Sequence, residues 1–309
     1  MTLSLPAEFG LIGRYFAPLA GPEGLGLRDD AALFTPPAGR ELVITKDAMV
    51  AGVHFIGDEP ADLIARKLLR SNLSDLAAMG ATPLHYLLAL AVPGGTDEAW
   101  FAAFAKGLAQ DQAHFNITLL GGDTVSTTGP LCVSATLIGH VTPGHALRRT
   151  GACVGDGLYV TGTIGDAALG LRALRGDLID ADGYLVSRYR LPQPRLGLAL
   201  YGIAHAAMDI SDGLLQDLGH LCRASALGAR IDAALVPVSI PGQIETCLTG
   251  GDDYELLLAV PPARHLDLQK ACAGLQITKI GEFVEGERIT VIDSEGAPMT
   301  FNRIGWSHF

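Results

Sequence analysis

The chain has 309 residues, 49% hydrophobic and 18% charged, with 22 basic against 33 acidic side chains and a net charge of −11. At roughly 100–200 residues per domain the length suits two domains, and the composition excludes disordered, collagen-like and disulfide-scaffold classes. The negative charge opposes binding to nucleic acid or to an anionic membrane through the overall field. The longest apolar runs, such as 87–93, fall far short of the ~18 residues of a membrane span. No basic segment precedes an apolar stretch at the start, so the expectation is a cytoplasmic protein. Cys132, Cys153, Cys222, Cys247 and Cys272 are scattered and form no Cys-x-x-Cys pair, which speaks against a disulfide framework and a thiolate zinc site.

In chain order, apolar patterning predicts a strand at 42–46, a helix at 61–78, a strand at 84–92, a helix at 97–115 and strands at 117–120 and 131–141. Residues 143–156 are rich in glycine and turn formers, which places a domain boundary there and divides the chain into 1–145 and 146–309. The second half reads as a strand at 158–161, helices at 167–174, 195–206 and 214–224, a strand at 254–260, a helix at 263–273 and short closing strands. The whole is an α/β pattern without a fixed repeat.

Glycine is abundant, 38 residues or about 12% against an average of about 7%, and it recurs beside aspartate. Aspartates mark six places: Asp29-Asp30, Asp47, Asp75, Gly121-Gly122-Asp123, Asp209-Ile210-Ser211-Asp212-Gly213 and Gly250-Gly251-Asp252-Asp253. Any one of them reads as a turn or helix cap. Together they say more. Asp47 and Asp123 follow apolar runs, at the carboxyl edge where α/β sheets place ligands. Asp75 shares a helix face with Ile64, Leu68 and Met79, so it needs a metal or cationic partner, and Asn72 lies one turn back. Oxygen ligands without a His or Cys partner favour magnesium, manganese or calcium over zinc. No EF-hand loop, Gly-x-x-x-x-Gly-Lys-Ser/Thr loop or His-Arg-Asp set occurs. A nucleotide bridged by magnesium is the simplest ligand for such a chain.

Asp29-Asp30-Ala31-Ala32, the segments 45–55 and 72–81, Gly121 to Thr124, 160–166, 209–214, 250–256 and the terminal Gly305-Trp306-Ser307-His308-Phe309 together resemble the thiamine-monophosphate kinase family. The likeness runs from about residue 8 to the end. It implies an α/β (α+β), two-domain aminoimidazole ribonucleotide synthetase-like fold. The N-terminal domain would form the sheet or barrel of a homodimer, and ATP and magnesium would lie between it and the C-terminal α/β domain. The implied reaction is transfer of the γ-phosphoryl group of ATP to thiamine monophosphate. By resemblance the metal set is Asp30, Thr45, Asp47, Asp75, Asp123, Asp209 and Asp212, with Lys46 contributing backbone. ATP would touch Gly122, Asp123, Arg149 and Ser211, and the substrate His54, Asp252 and Trp306.

Three residues depart from the family pattern: Arg28 for glycine, Lys46 for threonine and Asp252 for glutamate. The first two bring positive charge beside metal ligands. If the strand alternates regularly, Lys46 points away from Thr45 and Asp47; if it has ended, the ammonium reaches a carboxylate or ATP oxygen. Alternation is favoured. His54 reads either as a half-buried histidine bonded to backbone or as a substrate contact. Trp306 reads as packing or an aromatic wall, and Arg149 as a solvated charge or a fork onto phosphate. His114, His140, His145, His205, His220 and His265 read as structural or surface residues. The acceptor phosphate is already a charged nucleophile, so no general base is expected. The alternatives are a catalytically impaired homologue that binds nucleotide or thiamine phosphate, or another ATP-dependent enzyme of the superfamily.

Overall fold

A computed structural model of the chain describes residues 7–307. The last part of the terminal segment, His308-Phe309, lies outside the described residues. The chain forms two compact units: the described residues up to Leu76 with Thr82–Gly144, and Ala77–Ala81 with the described residues from His145.

The first unit opens with helix α1 (Ala7–Leu11) and short irregular helical turns to Leu27. Strand β1 (Glu41–Val50), helix α2 (Ala61–Ala78, its end in the second unit), β2 (Thr82–Pro93), α3 (Glu98–Phe115), β3 (Thr118–Thr127) and β4 (Cys132–Val141) follow. The sheet order is β1-β4-β2-β3, with β4 antiparallel to β1 and β2, and β3 parallel to β2. Asp97 caps α3 by accepting the Trp100 N–H at 2.9 Å, and Asn116 ends that helix in the left-handed region. Helix α2 buries Ile64, Leu68, Leu69, Leu73 and Leu76. Helix α3 meets β2 where the Tyr86 hydroxyl donates to Gln112 at 2.6 Å. The two helices approach so closely that a Cβ on Gly107 would lie 2.3 Å from the Asp62 carbonyl oxygen. Next to that contact the fully buried Asp111 accepts from Arg70 Nε at 2.7 Å and Arg66 Nε at 3.0 Å.

Two predicted strands are longer than their apolar runs. β1 and β3 continue through Asp47 and Asp123, so these residues lie inside strands and not at a carboxyl edge. The edge rule belongs to parallel sheets, and here most neighbours are antiparallel.

The second unit contains β5 (Gly157–Thr161), α4 (Asp166–Leu174), α5 (Tyr184–Arg190), β6 (Ala206–Ile210), α6 (Leu214–Ser225), β7 (Gly228–Asp232), α7 (Ile244–Thr249), β8 (Glu255–Val260), α8 (His265–Ala271), β9 (Ile277–Val284) and β10 (Ile289–Ile292). Its sheet runs β10-β7-β9-β5-β8-β6, antiparallel except for β10 with β7. Both faces are covered. Leu257 and Ala259 join one apolar cluster with Leu214, Leu218 and Leu221 of α6, while Leu256, Leu258 and Val260 join another with Leu200, Ile203 and Leu268. That double burial is why β8 reads as an unbroken apolar run. The predicted helix at 195–206 is a series of turns leading into β6. Gly197 and Gly202 sit at φ +79° and +73°, which no α-helix accommodates, although Leu200, Ile203 and Ala204 are still buried.

The Arg66–Arg70–Asp111 cluster yields a stability prediction. Asp111→Ala removes the carboxylate shared by the buried Arg70 and the partly exposed Arg66 and should cost about 3 kcal/mol in urea unfolding. A loss below about 1 kcal/mol would mean that the arginines find other partners.

Candidate functional site

In the first unit β1 lies at the sheet edge and α2 covers it. The Asp47 N–H donates to Asn72 Oδ1 at 3.0 Å, and Asn72 Nδ2 donates to the Leu68 carbonyl at 2.8 Å, which fixes the amide. Asn72 is fully buried, so its place on the inward stripe is explained by an edge-strand amide that needs an acceptor. Thr45 Oγ1 donates to the half-buried Asp75 carboxylate. Lys46 has the opposite orientation. Its ammonium donates to Ser134 Oγ at 2.6 Å, and that hydroxyl donates to the Asp47 carbonyl at 2.8 Å. The alternating exposure of β1, with Lys46 exposed and both neighbours half-buried, agrees with the regular strand.

A cleft of about 560 Å³ gathers a second group. Asp30, Gly122 and Asp123 line it with Phe34, Leu87 and Ile138, whereas Thr45, Asp47 and Asp75 do not. The first-unit residues therefore fall into two sets. Gly122 is forced by packing, because a Cβ there would lie 1.9 Å from the Leu88 carbonyl oxygen of β2. Asp123 pairs in register with Ala89, and both are exposed, as are Asp30 and Arg28. His54 follows β1, and its Nδ1 accepts the Val50 N–H at 3.0 Å. That bond puts the proton of the neutral ring on Nε2.

In the second unit, Asp209 lies in β6 and the loop 211–213 leads into α6. One carboxylate oxygen of the buried Asp217, in the first turn of α6, accepts the N–H groups of Ser211, Asp212 and Gly213 at 3.0, 3.0 and 3.1 Å. Burial pushes the Asp217 carboxyl up to about 7, with the Asp212 charge adding to it and the three N–H groups opposing it. The 250–254 segment packs on this loop: the Asp252 N–H donates to the Ser211 carbonyl and the Tyr254 N–H to the Ile210 carbonyl, each at 2.8 Å. The Trp306 N–H donates to the Asp212 carbonyl at 3.0 Å, and Gln216 Nε2 donates to both the Asp212 carboxylate and the Trp306 carbonyl. Ser211, Asp212, Asp252 and the half-exposed Trp306 thus share one patch at the end of β6. The Arg149 carbonyl accepts from Ser225 Oγ at 3.1 Å, and its charge helps to lower the pKa of His220, behind burial and Arg223.

Asp217 and Asp253 escape the sequence reading. Asp253 is buried beside Asp252 and accepts the N–H groups of Gly165 at 2.6 Å and Ala167 at 3.2 Å. The signal available was the doubled aspartate after two glycines, in which one carboxylate must turn inward. For Asp217 there was no such signal, because a carboxylate one position beyond the capping-box site is common in helices.

Residues 28–141 match the family AIR synthase related protein, N-terminal domain, and residues 154–294 match AIR synthase related protein, C-terminal domain. The chain is 48% identical to the thiamine-monophosphate kinase of Caulobacter vibrioides, over 98% of this chain and 91% of that relative. It is similar to the crystal structure of the thiamine-monophosphate kinase of Stenotrophomonas maltophilia K279a, at 40% identity and a TM-score of 0.80 over 88% of this chain and 91% of that one. It is also similar to AaThiL complexed with AMPPCP and TMP, at 28% identity and a TM-score of 0.78 over the whole of both chains.

Burial raises the Asp253 carboxyl from 3.8 to about 8 against the pull of its two N–H donors. A pKa raised by folding stabilises fully below the unfolded value and loses that contribution as pH rises through the folded one. The stability of the protein relative to an Asp253→Asn variant should therefore fall between pH 4 and pH 8 in urea unfolding. A pH-independent difference would show that the carboxyl does not titrate in that window.

Proposed function

The chain belongs to the thiamine-monophosphate kinases of the AIR synthase related family, and from that premise we propose that it transfers the γ-phosphoryl group of ATP to thiamine monophosphate, giving thiamine diphosphate. The observation that carries this is 48% identity to a thiamine-monophosphate kinase over nearly the full length. The similar AaThiL structure, which holds AMPPCP and TMP, supports the same pair of substrates.

The donor sets suit magnesium. Thr45 Oγ1 and the Asp75 carboxylate face each other, Asp30 and Asp123 line an open cleft, and Asp212 ends its strand–loop patch, all offering hard oxygens. Magnesium bound there would neutralise phosphate oxygens and align donor with acceptor. Asp30, Thr45, Asp47, Asp75 and Asp123 in the first unit and Asp209 and Asp212 in the second would hold the ions, with Lys46 contributing backbone. Gly122, Asp123, Arg149 and Ser211 would contact ATP. His54, through Nε2–H, Asp252 and Trp306 would contact the substrate. The acceptor phosphate, with a second pKa near ~6, attacks as an anion, so no side chain serves as general base and no phosphoenzyme forms.

We propose that the reaction runs in the cytoplasm. In keeping with that, all five cysteines are free, and among the described residues no helix is long and apolar enough to cross a membrane.

The sheet of the first unit supports a homodimer. Leu42, Ile44, Leu87 and Val125 are 37%, 63%, 39% and 49% exposed across its strands, an apolar face that a second copy would cover.

ADP release should depend on thiamine monophosphate and should not occur with thiamine; binding without turnover would instead indicate an impaired homologue. In the same assay Asp75→Asn, which keeps an acceptor for Thr45 and removes the charge, should lower turnover about 100-fold without changing thermal unfolding. Turnover near the parent at limiting magnesium would make Asp75 a purely structural residue. Sedimentation at micromolar concentration should give twice the 32.3 kDa chain mass, falling towards one chain for Ile44→Glu, whereas a monomeric parent would remove the dimer.

A further inference from the structure

The sequence shows no thiolate metal motif, and Cys153 and His205 stand 52 positions apart, yet the second unit brings them together around Asp156. The turn Cys153–Asp156 is closed by the Asp156 N–H donating to the Cys153 carbonyl at 3.1 Å, with Gly155 at φ +88°. A positive φ at the third position is the type II requirement, met here by glycine. The Asp156 carboxylate folds back to accept the Cys153 N–H at 2.8 Å and is bonded to His205 Nδ1 at 2.9 Å. His205 is held from its own backbone, its N–H donating to the Ala259 carbonyl at 2.8 Å. The thiol, one carboxylate oxygen and one imidazole nitrogen all lie within 4.8 Å of one another.

We propose that Cys153, Asp156 and His205 form a site for one divalent ion of the zinc class, distinct from the oxygen-lined magnesium residues. The donor set carries the argument. Thiolate and imidazole favour zinc or cobalt and disfavour magnesium, while three protein ligands with water in the fourth position satisfy tetrahedral coordination. At bond lengths of roughly 2.0–2.3 Å, tetrahedral ligands stand roughly 3.2–3.8 Å apart, about an ångström inside the 4.8 Å limit within which the three atoms lie. Asp156 is buried and fixed, and Cys153 and His205 are exposed, so an ion enters from solvent onto a rigid carboxylate. Binding releases the thiol proton. It also displaces the proton that Nδ1 donates to the carboxylate, which moves to Nε2 and frees the Nδ1 lone pair for the ion. The buried cysteines are poor competitors, because burial pushes the Cys222, Cys247 and Cys272 thiols up.

The test uses the full chain, stripped with a chelator, reduced, and titrated with cobalt(II) in excess magnesium so that the oxygen ligands are occupied. One cobalt per chain should bind with a thiolate charge-transfer band. Zinc should displace it and should slow alkylation of Cys153 at least tenfold. Cys153→Ser should abolish the band, and His205→Ala should weaken binding at least tenfold, both with unchanged thermal unfolding and kinase turnover in metal-free buffer plus magnesium. Cobalt bound without the band, a band that survives Cys153→Ser, or alkylation indifferent to zinc would each overturn the site and leave the three residues as a hydrogen-bonded turn.

Discussion

A carboxylate removed from water must be met by something, and the identity of that partner divides the acids of this protein by role. Asp111 takes Arg66 and Arg70, and Glu255 takes Arg188, Arg195 and the Thr161 hydroxyl. Asp217 and Asp253 take backbone N–H groups. These acids are consumed by the framework: Asp111 ties helix to helix, Glu255 ties strand to helix, loop and neighbouring strand, and Asp217 and Asp253 tie loop to helix. A different group faces solvent, with Asp30 and Asp123 exposed in a cleft, while the half-buried Asp75 accepts from the Thr45 hydroxyl. Four arginines, Arg66, Arg70, Arg188 and Arg195, go to the framework acids, so in a chain with a net charge of −11 the exposed group keeps an acidic excess.

The departures from the family pattern have separate explanations. Lys46 sits on a continuous strand, so alternation carries its ammonium to Ser134 on β4 and away from Thr45 and Asp75. Its charge is therefore compatible with a full metal set. Asp252 sits at φ +72°, in the left-handed region where aspartate and asparagine are the best tolerated residues after glycine. The Ser211 carbonyl holds that backbone through the Asp252 N–H at 2.8 Å. Nothing in the structure explains Arg28.

Helix α2 was legible to the residue because its inward stripe is strongly apolar and its breaks are clean. β1 and β3 were legible as strands but not in extent. In β3 the second half, Gly121 to Thr127, is polar and glycine-rich, and in β1 the pair Lys46-Asp47 interrupts the apolar run before Ala48 to Val50; pairing with the neighbouring strands keeps both extended. The turns at 195–205 misled for the opposite reason: burial of Leu200, Ile203 and Ala204 mimics a helical stripe, while the glycines that break it carry no periodic signal. Asp123, Asp212 and Asp252 were visible because each lies beside glycine, Asp47 and Asp209 because they follow apolar runs, and Asp75 because it falls on an apolar helix face. The contacts that set their geometry, Asn72 on an edge amide and Asp217 on three loop amides, depend on tertiary placement. So does the cluster of Cys153, Asp156 and His205, which no local spacing announces.

The bonds of Asp217 also constrain the chemistry. The start of a helix is ordinarily an anion site, because its unpaired N–H groups point outward and the dipole favours negative charge. At α6 the N–H groups of Ser211, Asp212 and Gly213 are turned onto an internal carboxylate and are unavailable to a phosphate. What the loop still presents is the Ser211 hydroxyl and the Asp212 carboxylate, because its carbonyl oxygens already accept from Asp252, Trp306 and Asp217, and that carboxylate repels a bare phosphate and attracts a cation. A phosphate bound beside this loop must arrive with positive charge already on it. By binding the loop N–H groups, Asp217 leaves a carboxylate as the charged group of the loop, which suits a nucleotide carried as its magnesium complex.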